Sequence, residues 1–244
     1  EEVNGSIFGD TFTGDSADNT IRGGAGNDSI SGGGGTDIVE GGSGNDIIHG
    51  DQGADSLIGG TGDDTLYFEV GDTLIDGGSG TNTAILTGSY NGIIIDNDNK
   101  FSGIDHFQLG SANERFKLYS DNTYSIAGGS GNDIVDGSGA GSALNLTLSD
   151  SAVGSQYITG VEQLIGSGYG DTLSGNSSGN TLSGGGGNDT IDGNGGSDAI
   201  YAGGGNDIIR FDASDSVING GAGTDSAILD NPGTGVSINT NLFS

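Results

Sequence analysis

The sequence predicts an all-β solenoid whose coils each take 18 residues, and three observations lead there. A nine-residue unit recurs in fixed register from Gly23 to Tyr67, as GGAGNDSIS, GGGGTDIVE, GGSGNDIIH, GDQGADSLI and GGTGDDTLY. Two separate arrays of this unit are copies of one another whose lengths differ by two whole units. No 11-residue window carries a convincing 3.6-residue apolar period, so helix is not expected.

Within each unit, glycine recurs at slots one, two and four, aspartate at slot six and an apolar residue at slot eight. Slots one to six read as a turn and slots seven to nine as a short strand. Because strand side chains alternate, the slot-eight residue points inward. Those residues are Phe12, Ile21, Ile30, Val39, Ile48, Leu57 and Leu66, then Leu173, Leu182, Ile191, Ile200, Ile209 and Ile218. Periodic glycine signals a demanded backbone geometry rather than a loose chain.

The first array extends from Gly5 to Ile85 and the second from Gly166 to Ile228. Between them only GGSGNDIVD at Gly128 keeps the signature. VNGSIFGDTFTG aligns with LIGSGYGDTLSG at an offset of 161 residues, and YFEVGDTLIDGGSGTNTAIL with RFDASDSVINGGAGTDSAIL at 143. The difference is 18, so two units were gained or lost together, as expected if they close one coil. Residues 86–102 and 146–159 carry apolar runs, Ile93-Ile94-Ile95 and Leu146 to Leu148, that read as irregular strands outside the frame. Three blocks are expected: residues 1–104, a block that keeps the signature and ends in a strand cap; 105–161, degenerate; and 162–244, a second block that keeps the signature. An apparent element at Val236 to Ser244 and the lack of any methionine lead us to expect an excerpt of a longer protein.

Composition sets the energetic problem. The chain holds 54 glycines, one proline and no cysteine or tryptophan, and is 31% hydrophobic. One large inward residue per half-coil makes a thin core against the entropy of ordering so much glycine. With 34 acidic residues against five basic ones, the formal net charge is −29, so a compact state needs counter-charge. The same balance excludes nucleic acid as a partner, for lack of Lys and Arg. No apolar stretch approaches the roughly 18 residues of a membrane span. Absence of cysteine is compatible with an extracellular setting.

An 18-residue coil stacks the slot-six residues on two edges. Asp10, Asp28, Asp46 and Asp64 share one edge of the first array, and Asp171, Asp189, Asp207 and Asp225 one edge of the second. The opposite edge reads Asn19, Asp37, Asp55, Thr73, then Asn180, Asp198, Ser216. Stacked like charges repel unless a hard cation sits between them. Oxygen-only donors, carboxylates together with turn carbonyls, select Ca²⁺ over softer metals. Sites are therefore expected between 10/28, 28/46, 37/55, 46/64, 171/189, 189/207 and 207/225, with turn glycines such as Gly23, Gly26, Gly41, Gly44, Gly184 and Gly187 contributing. In the middle block slot six reads Arg115, Tyr124, Asp133, Ser142, and only Asp133 is a candidate ligand. Arg115 there either bridges to Asp133 in place of a cation or is plainly solvent-exposed.

Other signals carry little. Strings resembling dinucleotide-binding glycines arise by chance in such a chain, and no helix follows them. GNSSG at Gly175 lies in frame as a repeat turn rather than a nucleophile elbow. His49 is a slot-nine residue expected to face solvent.

The nonapeptides at Gly23–Tyr67 and Gly184–Ile209 resemble the hemolysin-type calcium-binding repeats of RTX proteins, whose pattern is G-G-x-G-x-D-x-U-x. The resemblance implies a right-handed parallel β-roll with calcium between turns. It also implies type I secretion as an unfolded chain that folds on meeting external calcium. The expected function is a non-catalytic, calcium-binding extracellular module of a large secreted protein, of surface-layer, adhesin or filament type. The alternative is the carrier region of a secreted enzyme or toxin whose active domain lies outside this chain. Beyond calcium, the partners to consider are a second copy of the chain and a cell-surface glycan.

Overall fold

The computed structural model describes residues 1–88, 94–96, 100–119, 124–152 and 157–230, and these contain strands and turns but no helix. The apparent element at Val236–Ser244 lies outside them, as does Ile93. The chain divides into two compact units: Glu1–Tyr90 with Asn97–Ser111 and Tyr124–Ala127, and Asn91–Asp96 with Ala112–Thr123 and Gly128–Ser244.

In the first unit, one sheet stacks Glu2–Asn4, Thr20–Ala25, Ile38–Ser43, Ser56–Thr61, Leu74–Ser79 and Phe101–Ser102. The other stacks Thr11–Thr13, Ser29–Ser31, Ile47–His49, Thr65–Phe68, Thr83–Leu86, His106–Gln108 and Ser125–Ala127. Every pairing is parallel and joins equivalent residues of successive coils: Ile21, Val39, Leu57 and Ile75 on one side, Phe12, Ile30, Ile48, Leu66 and Ala84 on the other. The second unit repeats this plan. Arg115–Lys117, Ile134–Asp136, Gln163–Ile165, Thr181–Gly186, Ala199–Gly204 and Val217–Ala222 form one stack, headed by Ile94–Asp96. Asn145–Thr147, Thr172–Ser174, Thr190–Asp192, Ile208–Phe211 and Ser226–Leu229 form the other. This is a parallel β-solenoid, as the nine-residue period implied, and both apolar runs outside the frame contribute strands.

The core is a single file of side chains along each strand stack. All the slot-eight residues from Ile21 to Leu66 and from Leu173 to Ile218 are buried, while Phe12 in the first coil is half-buried. At the end of the first array the core widens into aromatics: Phe68, Phe101, Phe107 and Tyr124 meet edge to face, with centroids 5.1–5.4 Å apart. His49 is not simply solvent-facing; it is half-buried and stacked on Tyr67 in the next coil at 4.0 Å.

Coil length is 18 residues within the arrays, but equivalent positions stand 23, 19, 29 and 27 residues apart between and before them. Two of these intervals take up an additional strand, Ile94–Asp96 in the 23-residue one and Asn145–Thr147 in the 29-residue one.

The turn explains the glycine pattern. A Cβ on slot-two Gly42, whose φ is +113°, would run into the carbonyl oxygen of Gly24 in the preceding coil. Slot-four Gly44, at +126°, would meet Gly26 in the same way. Slot-three Gly204 has open space around it and no positive φ, which is why that slot tolerates Ala, Ser, Thr or Gln elsewhere. Gly42→Ala is therefore expected to destabilise the calcium-saturated protein by about 1–3 kcal/mol. Gly204→Ala should be neutral or stabilising by about 0.4–1 kcal/mol. Thermal unfolding of the two variants side by side checks this.

Candidate metal centre

Each inner slot-six aspartate divides its two oxygens between different tasks. The Oδ1 atom accepts the backbone N–H of the equivalent residue one coil earlier. Asp10 N donates to Asp28 at 2.7 Å, Asp28 to Asp46 and Asp46 to Asp64 at 2.8 Å. Asn19 donates to Asp37 and Asp37 to Asp55 at 2.8 Å on the opposite edge. In the second array Asp171 donates to Asp189 at 2.7 Å, Asp189 to Asp207 at 2.8 Å, Asp207 to Asp225 at 3.0 Å and Asn180 to Asp198 at 2.8 Å. The two stacks read from the sequence are thus real ladders.

The Oδ2 atoms have no hydrogen-bond partner at Asp28, Asp37, Asp46, Asp55, Asp64, Asp133, Asp189, Asp198 and Asp207, although all of them are buried. Except at Asp207, whose unit has Ala202 at slot one, they point at the slot-one glycine of the same unit. A Cβ placed on Gly41 would strike Asp46 Oδ2 and lie 2.8 Å from the carbonyl oxygen of Gly59, one coil on. Gly23 and Gly59 show the same arrangement with Asp28 and Gly41, and with Asp64 and Gly77. Gly184 shows it with Asp189 and Ala202. The missing Cβ leaves a cradle lined by a carboxylate oxygen and a carbonyl oxygen from different coils. Slot-four Gly26, Gly44 and Gly187 are positive-φ turn residues, with φ of 106°, 126° and 106°.

These residues fit a hard divalent cation. An anionic oxygen left buried without a partner is costly, and an all-oxygen donor set suits calcium. Among the described residues no three His, Cys, Asp or Glu side chains converge, so backbone carbonyls must complete any coordination shell. Bound calcium would supply the positive charge that these oxygens lack.

The first coil of each array behaves differently. Asp10 Oδ2 accepts the backbone N–H and hydroxyl of slot-two Ser6 at 2.7 and 2.9 Å. Asp171 Oδ2 accepts the backbone N–H of Ser167 at 2.5 Å. Asn19 and Asn180 close their own turns likewise, accepting the N–H groups of Asp15 at 3.0 Å and Asn176 at 2.9 Å. The controlling variable is φ at slot two. Where it is positive, as at Gly24, Gly42, Gly60, Gly185 and even Asp51 and Asn194, the slot-six Oδ2 is orphaned. The non-glycine residues Ser6, Asp15, Ser167 and Asn176 lack positive φ, and their N–H groups bond the slot-six side chain of their own turn.

Several ladder positions were missed in the sequence. Thr73 and Ser216 do not end the weaker edge; Asp72 and Asp215, one residue earlier, accept the N–H groups of Asp55 at 3.1 Å and Asp198 at 3.0 Å. Thr73 and Ser216 instead donate their hydroxyls to the carbonyls of Asp55 and Asp198. The signal was the aligned pair VGDT and ASDS, each with its acid one residue ahead of the frame. Beside Asp72, Lys100 Nζ donates to the carbonyl of Val70 at 3.0 Å and lies over the rings of Phe68 and Phe101.

In the middle block the frame had slipped. Arg115 is a strand residue paired with Ile134, and its guanidinium binds Asp136 at 2.5 and 2.8 Å, not Asp133. Glu114 holds the ladder position, donating its N–H to Asp133 Oδ1 at 2.8 Å across a 19-residue coil. Asp133 in turn donates to Glu162 at 2.8 Å, and Asn82 to Asp105 at 2.8 Å.

The RTX calcium-binding nonapeptide repeat matches residues 4–39, 40–75, 49–84, 125–140, 159–190 and 174–209, together more than half of the chain. The chain belongs to the RTX calcium-binding repeat family. No curated protein matches it. The RTX assignment and the orphaned oxygens agree: this is a calcium-binding structural repeat region. The matched spans leave out residues 85–124, where the coils depart from 18 residues. No helix of the described residues is long and apolar enough to cross a membrane.

Burial, with neighbouring carboxylates adding and backbone N–H bonds opposing, pushes Asp55 and Asp189 up to about 6 and Asp198 up to about 7. Their folded-state values lie above the ordinary 3.8, so these groups support folding fully below pH 3.8 and withdraw that support as pH rises through 6–7. With calcium chelated, strand content by circular dichroism should therefore fall between about pH 5 and pH 8, whereas calcium affinity should rise over the same window. Asp10→Asn, whose turn is closed by Ser6, should leave the number of bound calcium ions unchanged, while Asp46→Asn should lower it by at least about one. Equilibrium dialysis reads both.

Proposed function

We propose that the chain is a non-catalytic extracellular module of a type-I-secreted protein, folding when it meets external calcium and acting as a stiff structural element of surface-layer, adhesin or filament type. The observation that carries this reading is the file of buried, unpartnered Oδ2 atoms on both edges of each array. With a net charge of −29 and a core one residue wide, the coil lacks the means to close against that repulsion at low calcium. Differential affinity for the folded form then pulls folding forward as calcium rises. The occupants of the cradles are calcium ions held by Asp28, Asp37, Asp46, Asp55, Asp64, Asp189, Asp198 and Asp207 with carbonyls of the glycine turns. Two arrays related by a long super-repeat support a structural element over a single secretion tail. Outward-facing Ile38, Ile47 and Ile208 are compatible with contact between copies.

The test is calcium titration at neutral pH, followed by far-UV circular dichroism and light scattering. The strand signal should be absent in chelator and appear cooperatively at about 10⁻⁴–10⁻³ M, the range usual for extracellular modules. Calcium-dependent growth in scattering supports the assembly role. A chain that folds fully in chelator at neutral pH would sink the proposal.

A further inference from the structure

Glu114, which lies outside the matched repeats and which repeat-frame reading of the sequence does not find, forms a buried acidic pair with the slot-six Asp133. Glu114 is 1% exposed and Asp133 fully buried. Glu114 precedes a strand, Arg115–Lys117, that no repeat signature marks, and it is the ladder position of its coil because its N–H binds Asp133 Oδ1. The remaining oxygens are the informative ones. Glu114 Oε1 accepts the N–H of Ala112 at 3.2 Å, but Glu114 Oε2 and Asp133 Oδ2 are both buried with no donor. The two side chains face each other at hydrogen-bonding reach, a spacing at which two carboxylates repel.

The surroundings supply oxygen donors. A Cβ on Gly128 would run into the carbonyl oxygen of Gly160 and lie 3.0 Å from Asp133 Oδ2, the same cradle seen in the arrays. Gly129, at slot two, has a φ of +98°, the backbone state that elsewhere leaves the slot-six oxygen free. The nearby guanidinium of Arg115 is committed to Asp136.

We propose that Glu114 and Asp133 hold a divalent cation of the calcium class, with the Gly160 carbonyl beside them, at a site where a glutamate outside the nonapeptide frame meets a slot-six aspartate. The site rests on the reading that orphaned ladder carboxylates take calcium, and extends it to a glutamate-containing coil of 19 residues. Its role is to carry the stiffness of the ladder through a segment whose coils vary in length. The turn before Glu114, Gly110 to Asn113, is one residue shorter than the GSGYG turn ahead of Asp171.

The full chain is dialysed against saturating calcium and the bound metal counted for wild type, Glu114→Gln, Asp133→Asn and the double variant. Each single variant should lose about one calcium ion per chain with the strand signal retained, and the double variant no more than either. A wild-type chain that binds no calcium overturns this site and the proposed function together. Wild-type binding with an unchanged count in Glu114→Gln overturns this site alone, since the pair then shares a proton instead of a metal. Loss of the strand signal in both single variants at saturating calcium also counts against it.

Discussion

Each inner coil is tied to the next by a carboxylate that gives one oxygen to a backbone N–H and keeps the other buried without a donor. The first contact is what makes the coil repeat: it fixes the turn above to the turn below and holds successive strands in register. The second is what makes the fold conditional. Burying an unpaired anionic oxygen costs several kcal/mol in ordinary protein interiors, and here it recurs along both edges. Most of the glycines follow from the same contact: slot one, glycine in every such unit but that of Ala202, leaves room for the free oxygen, and slot two turns its own N–H away. Composition, charge and backbone conformation are therefore consequences of one side-chain geometry.

The parts of this arrangement that depend on period were legible in the sequence. The 18-residue coil, the inward file from Ile21 to Leu66 and the edge shared by Asp28, Asp46 and Asp64 all follow from spacing alone. What was not legible depends on single-residue slips. Asp72 and Asp215 stand one place ahead of the frame in tight turns closed by the bonds from Asp72 N to Glu69 O and Asp215 N to Asp212 O, while the strands beyond keep the 18-residue register. Glu114 was hidden by the same kind of slip, and Arg115 appeared to occupy its place. The difference between Asp10 and Asp28 was visible in principle. Ser6 stands where Gly24 stands, and a side chain at slot two changes which way the N–H points.

The first array also has a built beginning and end. Its opening turns close on themselves through Ser6 and Asp15, with no cation required. Its weaker edge finishes at Asp72, beside the half-buried ammonium of Lys100. Burial lowers the Lys100 pKa, and the nearby Asp72 offsets part of that shift. Between these two ends the carboxylates are open. A stack that is neutralised internally at its limits and externally along its length can be lengthened by whole coils without redesigning either terminus.

The parallel register has a mechanical corollary. Hydrogen bonds between coils run along the stacking direction, so tension applied in that direction loads one interface at a time, opening it as a zipper instead of shearing many bonds together. Each released coil frees 18 residues, roughly 60 Å of extended chain. Length is thus stored in equal parcels, each latched by the backbone ladder and its pair of carboxylates. The longer coils between the arrays hold larger parcels, of 19 to 29 residues. A tether built this way would yield in graded steps and rewind from any coil that stays closed.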